Sequence, residues 1–395
     1  MPPNYKTQVQ AALHYWQLKT RDISLANMIW LDERRANLLK SVEEGLRFEE
    51  FWEETAVVVS QVFHFMEWRG YWQSWIPTLE KIIRHCPHQK TSQYGRLVCQ
   101  LAQFHRLNRH FVEAEKLNHV GLQIAKELQD NVLLAAIYGA MSQSYLVQNQ
   151  PDEAKQYALL ALAHIEQVPE QKRIHAYVLK ALGIIKRLKG QYKTSLAYFN
   201  SALDIQRELQ EYNLLADILN EMALTNEFMQ DYDAAHQFID EALTIINQTN
   251  NESMRTLYLM NKGVFYYRQE CLEDAKKMFQ QVDFFALKRQ GNLFHCGLAM
   301  QNLGNVLYKQ GQVNEAEPYV REAIQLFKPT RDEVNLANSL GTLGEIMVAQ
   351  GRTQDAIALF DEAIILLQKY HESTWAQKLL ENSLQHRQSL LPNEK

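Results

Sequence analysis

One small residue recurs along this chain with a step of about 40 residues, and few folds tolerate such regularity. In the first segment a turn followed by "GYWQSW" sets the mark at Trp75; after it come Ala114, Ala154, Ser195, Ala235, Ala275, Ala316 and Ala356. The successive steps are 39, 40, 41, 40, 40, 41 and 40 residues. Twelve places before each mark stands a second small residue, at Ala102, Ser142, Gly183, Ala223, Gly263, Gly304 and Gly344, with Phe63 the exception. A third small position falls seven places after the first, at Ala161, Ala202, Ala242, Ala323 and Ala363. Two helices approach closely only where no bulky side chain intervenes, so paired small marks predict a helical hairpin and their repetition predicts a stack of hairpins. The expected fold is all-α, a right-handed α-solenoid superhelix of about eight helix pairs. Residues 1–50 read as an N-terminal helical cap, 51–368 as the repeat array and 369–395 as a C-terminal capping helix and tail, since a solenoid must cover its end faces.

Local chemistry supports each hairpin. Gly70, Gly190, Gly311, Gly351 and Asn149 stand where a first helix must end, and these residue types suit the left-handed backbone of a helix C-terminus. Asp152, Asp233, Glu273 and Asn314 follow at the start of the second helix, where an acid or a capping side chain is favourable. Pro77 and Pro318 share one repeat position near that start, where a missing N–H costs least.

Hydrophobic residues make up 46% of the chain and charged residues 22%, enough for a packed core without disorder. A formal charge of -5 gives no electrostatic reason to expect nucleic acid or an anionic membrane as the main partner. No apolar run approaches the ~20 residues of a membrane span, so membrane insertion is not expected. The N-terminal "MPPNYKTQVQAALHYW" lacks the apolar core of a signal peptide, and Cys86, Cys99, Cys271 and Cys296 are scattered without a C-x-x-C pair. The expected location is the cytoplasm.

Motifs with catalytic content are missing. "KGQYKTS" contains Lys193 and Thr194 but not the glycine geometry that cradles phosphates, and an all-helical pattern offers no strand for a nucleophile elbow or a dinucleotide turn. "RHCPHQK", with His85, Cys86 and His88, is the nearest approach to a metal cluster, and reads as a loop between repeats. His105 and His110 are five apart, a poor helical chelate. The acid pairs Glu43-Glu44, Glu49-Glu50 and Glu53-Glu54 read as solvated faces. No cofactor, no metal and no enzymatic activity are expected. Six of the seven tryptophans precede residue 76 (Trp16, Trp30, Trp52, Trp68, Trp72 and Trp75), and they read as filling between cap and first repeat rather than as an aromatic docking surface.

The stretch "LGNVLYKQGQVNEAEPYVREAI" resembles the tetratricopeptide repeat, and "LGTLGEIMVAQGRTQDAIALFDEAI" resembles it nearly as well. The resemblance covers Ala56 to Gln368. The usual period is ~34 residues, so a step of 40 implies lengthened helices, as in the long-repeat subgroup with bacterial peptide-sensing regulators and cell-polarity adaptors. "WLDERRANLLKSVEEGL" and "FMEWRGYWQSWIPTLEKII" further resemble the junction where the repeat array of bacterial signal-transduction (STAND-type) NTPases begins, which implies a related module without its NTPase domain.

In such an array the first helix of each pair lines the concave side. Helical spacing from the first-helix mark selects Arg96, Gln103, Arg106, Gln143, Lys180 and Arg187 as inward-facing. Asp217, Asn220, Glu221 and Glu227 follow, then Asn261 and Tyr267, then Gln301, Asn302, Asn305 and Tyr308. The expected groove is basic early, acidic in the middle and rich in amides and tyrosines late. Asparagine amides are able to clamp a peptide backbone and the basic residues to take carboxylates, and the resemblance implies such clamps. The expected function is a non-enzymatic interaction scaffold that holds a peptide or helix of a protein partner in this groove. The alternative is a regulator whose superhelix changes when a peptide or small effector binds. Self-association is compatible with either.

Overall fold

Seven of the eight helix pairs are closed by small residues on their facing sides, and all eight are turned by one residue of unusual backbone geometry. The computed structural model describes residues 4–21, 25–249, 251–289, 291–330, 332–371 and 373–391. Among these, every regular element is a helix. The chain forms two compact units, Met1–Asn251 and Glu252–Lys395.

The N-terminal unit starts with α1 (Tyr5–Thr20) and α2 (Leu25–Gly45), which pack together and on α3 (Trp52–Gln61). Five pairs follow. The first is α3, continued by α4 (Phe63–Trp68), with α5 (Trp72–Arg84); next come α6 (Ser92–Leu107) with α7 (Phe111–Leu128), and α8 (Asn131–Val147) with α9 (Pro151–Ile165). The last two are α10 (Lys172–Leu188) with α11 (Tyr192–Leu209), and α12 (Tyr212–Phe228) with α13 (Tyr232–Thr249). The C-terminal unit holds three pairs and a closing helix. Here α14 (Glu252–Arg268) pairs with α15 (Leu272–Gln280), which is followed by α16 (Phe284–Arg289). Then α17 (Leu293–Lys309) pairs with α18 (Val313–Thr330), α19 (Glu333–Ala349) with α20 (Thr353–Leu367), and α21 (Thr374–Ser389) covers the end.

The small marks lie at the helix contacts. All of Ala114, Ala154, Ser195, Ala235, Ala275, Ala316 and Ala356 are fully buried. Where the first-helix mark is glycine, a large side chain four residues beyond the second mark lies on it. A Cβ at Gly183 would stand 2.4 Å from the Phe199 ring, and one at Gly344 2.7 Å from the Phe360 ring. Serine marks add a stitch: Ser142 Oγ donates to the Ala154 carbonyl at 2.9 Å, and Ser195 Oγ to the Gly183 carbonyl at 2.8 Å.

The turns within pairs repeat as strictly as the marks. Gly70, Arg109, Asn149, Gly190, Gln230, Glu270, Gly311 and Gly351 all have positive φ. After each, the next amide reaches back to the helix it leaves, as in Gln191 N to Lys186 O at 2.8 Å and Asp231 N to Asn226 O at 3.0 Å. This is the Schellman closure, which satisfies a helix-end carbonyl. Arg109, Gln230 and Glu270 perform it without being glycine or asparagine, so residue type alone conceals three of the eight turns.

Two pairs depart from the expected helix, turn, helix. Phe63 replaces a small mark, and the first helix is interrupted at Val62 into α3 and α4; Phe63 stacks on Phe104 with ring centroids 4.8 Å apart. In the sixth pair Val282 stands where other pairs carry a third small mark, and the second helix breaks there, with Asp283 Oδ1 accepting from Ala286 N at 2.9 Å. The N-terminal tryptophans are core: Trp16, Trp52, Trp72 and Trp75 are buried in one cluster, with Trp30 and Trp68 packed on it. Trp52 Nε1 donates to the Ile82 carbonyl at 2.8 Å and Trp16 Nε1 to Ser41 Oγ at 3.0 Å.

Buried Arg69 ties this unit together. Its guanidinium pairs with Asp32 on α2 at 2.8 Å and donates to the Thr249 carbonyl at the end of α13 at 3.1 Å. The first and last pairs of the N-terminal unit therefore meet.

Candidate peptide-binding surface

Polar residues recur on the first helices at fixed offsets from the small mark: six, three and two places before it, one and four after. Helical geometry puts these offsets on one stripe. In the N-terminal unit the stripe is largely matched against itself. On α6, Arg96 is exposed, while Gln103 donates to Glu67 on α4. Glu67 also meets His64 Nδ1 at 3.2 Å. Burial pushes the Glu67 carboxyl up, but His64, Arg106 and Arg173 outweigh it and hold the group below the usual carboxylate range. Burial and the Arg173 charge hold His64 below the usual imidazole value. Arg173 in turn pairs with Glu211 at 3.0 Å. A cavity of about 470 Å³ opens beside this cluster, lined by His64, Trp68, Arg173 and Glu211 with the end of α1.

Farther along, Lys180 on α10 pairs with Asp217 on α12, and Arg187 pairs with Glu221 at 2.5 Å. Burial opposes the Lys180 ammonium, yet Asp217 and Tyr177 more than offset it, and its pKa is raised. Glu221 is pushed up by burial and by its neighbour Asp217, against the pull of Arg187 and Lys180. The basic early stretch and the acidic middle stretch thus meet as cross-repeat ion pairs instead of standing as two separate fields. Asn220 and Glu227 are buried, as is Gln143, whose Nε2 has no hydrogen-bond partner. Arg106 Nε also lacks one.

The C-terminal stripe has a different chemistry. Gln301 on α17 is buried and accepts from Ser339 Oγ at 3.0 Å, and Asn305 accepts from Thr342 Oγ1 at 3.1 Å. Asn261 and Asn302 are half-buried. Tyr267 carries the Lys309 ammonium over its ring, 4.7 Å from the centroid. Both Tyr267 and Tyr308 have hydroxyls raised by burial and then by the charge of Glu345 on α19. Glu345 itself is raised by burial, with His386 Nε2 on α21 3.6 Å away.

Among the residues of this stripe that escape the sequence reading are His64, Glu67, Thr342 and Glu345. The same offsets applied at Phe63 and at Gly344 select all four. Thr342 and Glu345 lie two places before and one after Gly344, as Asn302 and Asn305 do around Gly304.

Chemistry elsewhere is sparse. Among the described residues no group of three or more His, Cys, Asp or Glu is placed to hold a metal ion. His105 and His110 come together across the α6–α7 turn, Nδ1 to Nδ1 3.3 Å, a meeting that five residues of continuous helix would not give. Burial pushes the Cys99 thiol up to about 12 and that of Cys296 up to about 11, the reverse of what a nucleophile needs. No helix among the described residues is long and apolar enough to cross a membrane.

A family model described as the tetratricopeptide repeat matches residues 174–248 and 298–369, which are the fourth and fifth pairs and the seventh and eighth. Those two stretches carry tetratricopeptide repeats. Solved structures share the fold of this repeat protein at low identity. The Cut9–Hcn1 hetero-tetramer of the APC/C is 15% identical at TM-score 0.56, over 84% of this chain and 56% of that one. A signal-transduction ATPase with numerous domains (STAND) protein with a tetratricopeptide repeat sensor, from Pyrococcus horikoshii, is 13% identical at TM-score 0.55, over 85% and 55%. A Rap protein complexed with competence and sporulation factor is 14% identical at TM-score 0.54, over 85% and 98%. The repeat protein thus spans just over half of the first two chains and nearly all of the third. No curated protein sequence matches it.

Proposed function

We propose that this tetratricopeptide-repeat protein acts by binding, as a scaffold that holds a peptide or helix of a protein partner along the inner stripe of its first helices. The observation that carries the reading is the stripe itself. Apolar residues fill the hairpin contacts, while the stripe keeps amides, tyrosines and charges at the same offsets in repeat after repeat. Exposed Arg96 and half-buried Asn302 are among its accessible members, and Gln143 holds a buried donor without a partner. A buried donor left unmatched costs free energy that an incoming carbonyl would recover. The fold's likeness to the Rap protein complexed with competence and sporulation factor favours a peptide as occupant. The cap at 1–50, array at 51–368 and closing segment at 369–395 belong to the same proposal, with the cap and closing helix covering the ends of the array.

Site-specific photo-crosslinking in native lysate tests this reading. A benzophenone side chain replaces Arg96 or Asn302 on the stripe, or exposed Leu160 or Ile365 on second helices. Discrete adducts from the stripe positions, at least several-fold above those from Leu160 and Ile365, are expected. Adducts from the second helices alone would contradict it.

A further inference from the structure

Three acids on the N-terminal stripe have a basic neighbour from another first helix, as a rule of that stretch: Glu67 has Arg106 and Arg173, Asp217 has Lys180, Glu221 has Arg187. Glu345 breaks this rule. It is half-buried on α19, and among the described residues its one charged partner is the imidazole of His386, 3.6 Å away and charged only when protonated. No lysine or arginine of this chain pairs with it among the described residues. Tyr267 on α14 and Tyr308 on α17 are near enough that the Glu345 charge, after burial, helps hold their hydroxyls up. Lys309 already lies over the Tyr267 ring, showing that this wall accepts a cation on its face, whereas no described cation or ring lies against Tyr308. Asn305 and Thr342, bonded to each other at 3.1 Å, occupy the neighbouring offsets of α17 and α19.

We propose that Glu345, walled by Tyr308 and Tyr267, is a subsite for the guanidinium or ammonium of an arginine or lysine side chain in the bound peptide. The proposal rests on the peptide-groove reading and names part of what that groove selects. A carboxylate half out of water with no cation of its own gains a charge-assisted hydrogen bond when one arrives, and an aromatic wall adds attraction to the cation. The remaining charged groups facing the site are Lys309, whose exposed ammonium is held by Tyr267 at the rim, and His386, which competes for Glu345 once protonated. Cation binding therefore favours the ionised carboxylate and releases its proton. The preference for a basic side chain declines as pH falls toward the usual glutamate value of 4.5, because burial holds this carboxyl above that value.

The test uses the full chain and positional libraries of capped heptapeptides built from uncharged residues, with one position fixed as arginine or as citrulline, its neutral isostere. Fluorescence anisotropy should show the arginine libraries binding roughly tenfold tighter than the citrulline libraries at one position. Glu345→Gln should erase that difference. Equal affinity for both libraries in the wild type overturns the subsite and leaves the peptide groove standing, as does a preference that survives Glu345→Gln in a folded variant. No binding by any library overturns the groove reading and the subsite together. Should Glu345→Gln fail to fold, the wild-type pH series decides: a preference unchanged between about pH 7 and pH 4.5 contradicts the proposal.

Discussion

The first helices of the two units carry the same register of polar offsets and put it to different use. In the N-terminal unit, Lys180–Asp217, Arg187–Glu221 and Gln103–Glu67 join neighbouring first helices, so polar side chains are spent on fixing one repeat against the next. In the C-terminal unit the analogous links are neutral, Ser339 to Gln301 and Thr342 to Asn305, and Glu345 has the His386 imidazole but no lysine or arginine as partner among the described residues. Similar solenoid geometry thus serves cohesion in one place and presents unmatched chemistry in the other. What separates them is whether complementary charges fall about one repeat apart in the sequence, as Lys180 and Asp217 do at a separation of 37 residues.

The largest effect that could break this comparison lies in the N-terminal unit. Lys180→Met leaves the half-buried Asp217 carboxylate beside Glu221 without its ammonium, and should cost about 3 kcal/mol in urea unfolding. Adding Asp217→Leu should recover most of the loss, because an apolar pair of similar volume replaces the ion pair. A Lys180→Met loss within about 0.5 kcal/mol would mean that the pair is not cohesive. A smaller effect is expected in both units alike. Gln230→Gly and Glu270→Gly place glycine at exposed positions with φ of 62° and 60°, one in each unit, and each should stabilise by roughly 0.5–1 kcal/mol in thermal melts. Destabilisation by either would argue against the shared turn geometry.

The smallest effect sharpens the contrast through pH. Glu345 has a folded pKa raised above its unfolded value, so the unfolded state ionises first and the ionised carboxylate burdens the fold at neutral pH. Glu345→Gln should therefore stabilise by less than about 1 kcal/mol near pH 7. The gain should shrink as pH falls through the raised pKa, where the wild-type carboxyl is protonated too. A melting-temperature gain that grows toward acid would give the wrong sign and remove the account of Glu345 as an under-compensated carboxylate.

Much of this architecture is legible in the chain because small residues are few in kind and must recur where helices touch. Ala114, Ala154 and Ala356 announce second helices, and Gly183 anticipates the Phe199 ring that lies on it. The turns at Arg109, Gln230 and Glu270 are concealed because a left-handed residue need not be glycine when the surrounding hairpin enforces it. The break at Val282 is visible only in hindsight, as a branched side chain standing at a small-residue position. On the candidate surface, spacing identifies the face of Lys180, Arg187, Asn302 and Asn305 but not the neighbours their long side chains reach. The early basic stretch therefore reads as free charge until the opposite helix is seen to supply Asp217 and Glu221. Glu345 is accessible to the same spacing rule when it is carried one repeat farther.

Hydrogen exchange of the full chain, with and without the tightest-binding arginine heptapeptide, tests the contrast between the units most directly. Protection should appear at first-helix amides of the C-terminal unit, in α14, α17, α19 and α21, with α10 and α12 unchanged. Protection confined to α10 and α12, or to the second helices, would contradict the division of labour drawn here.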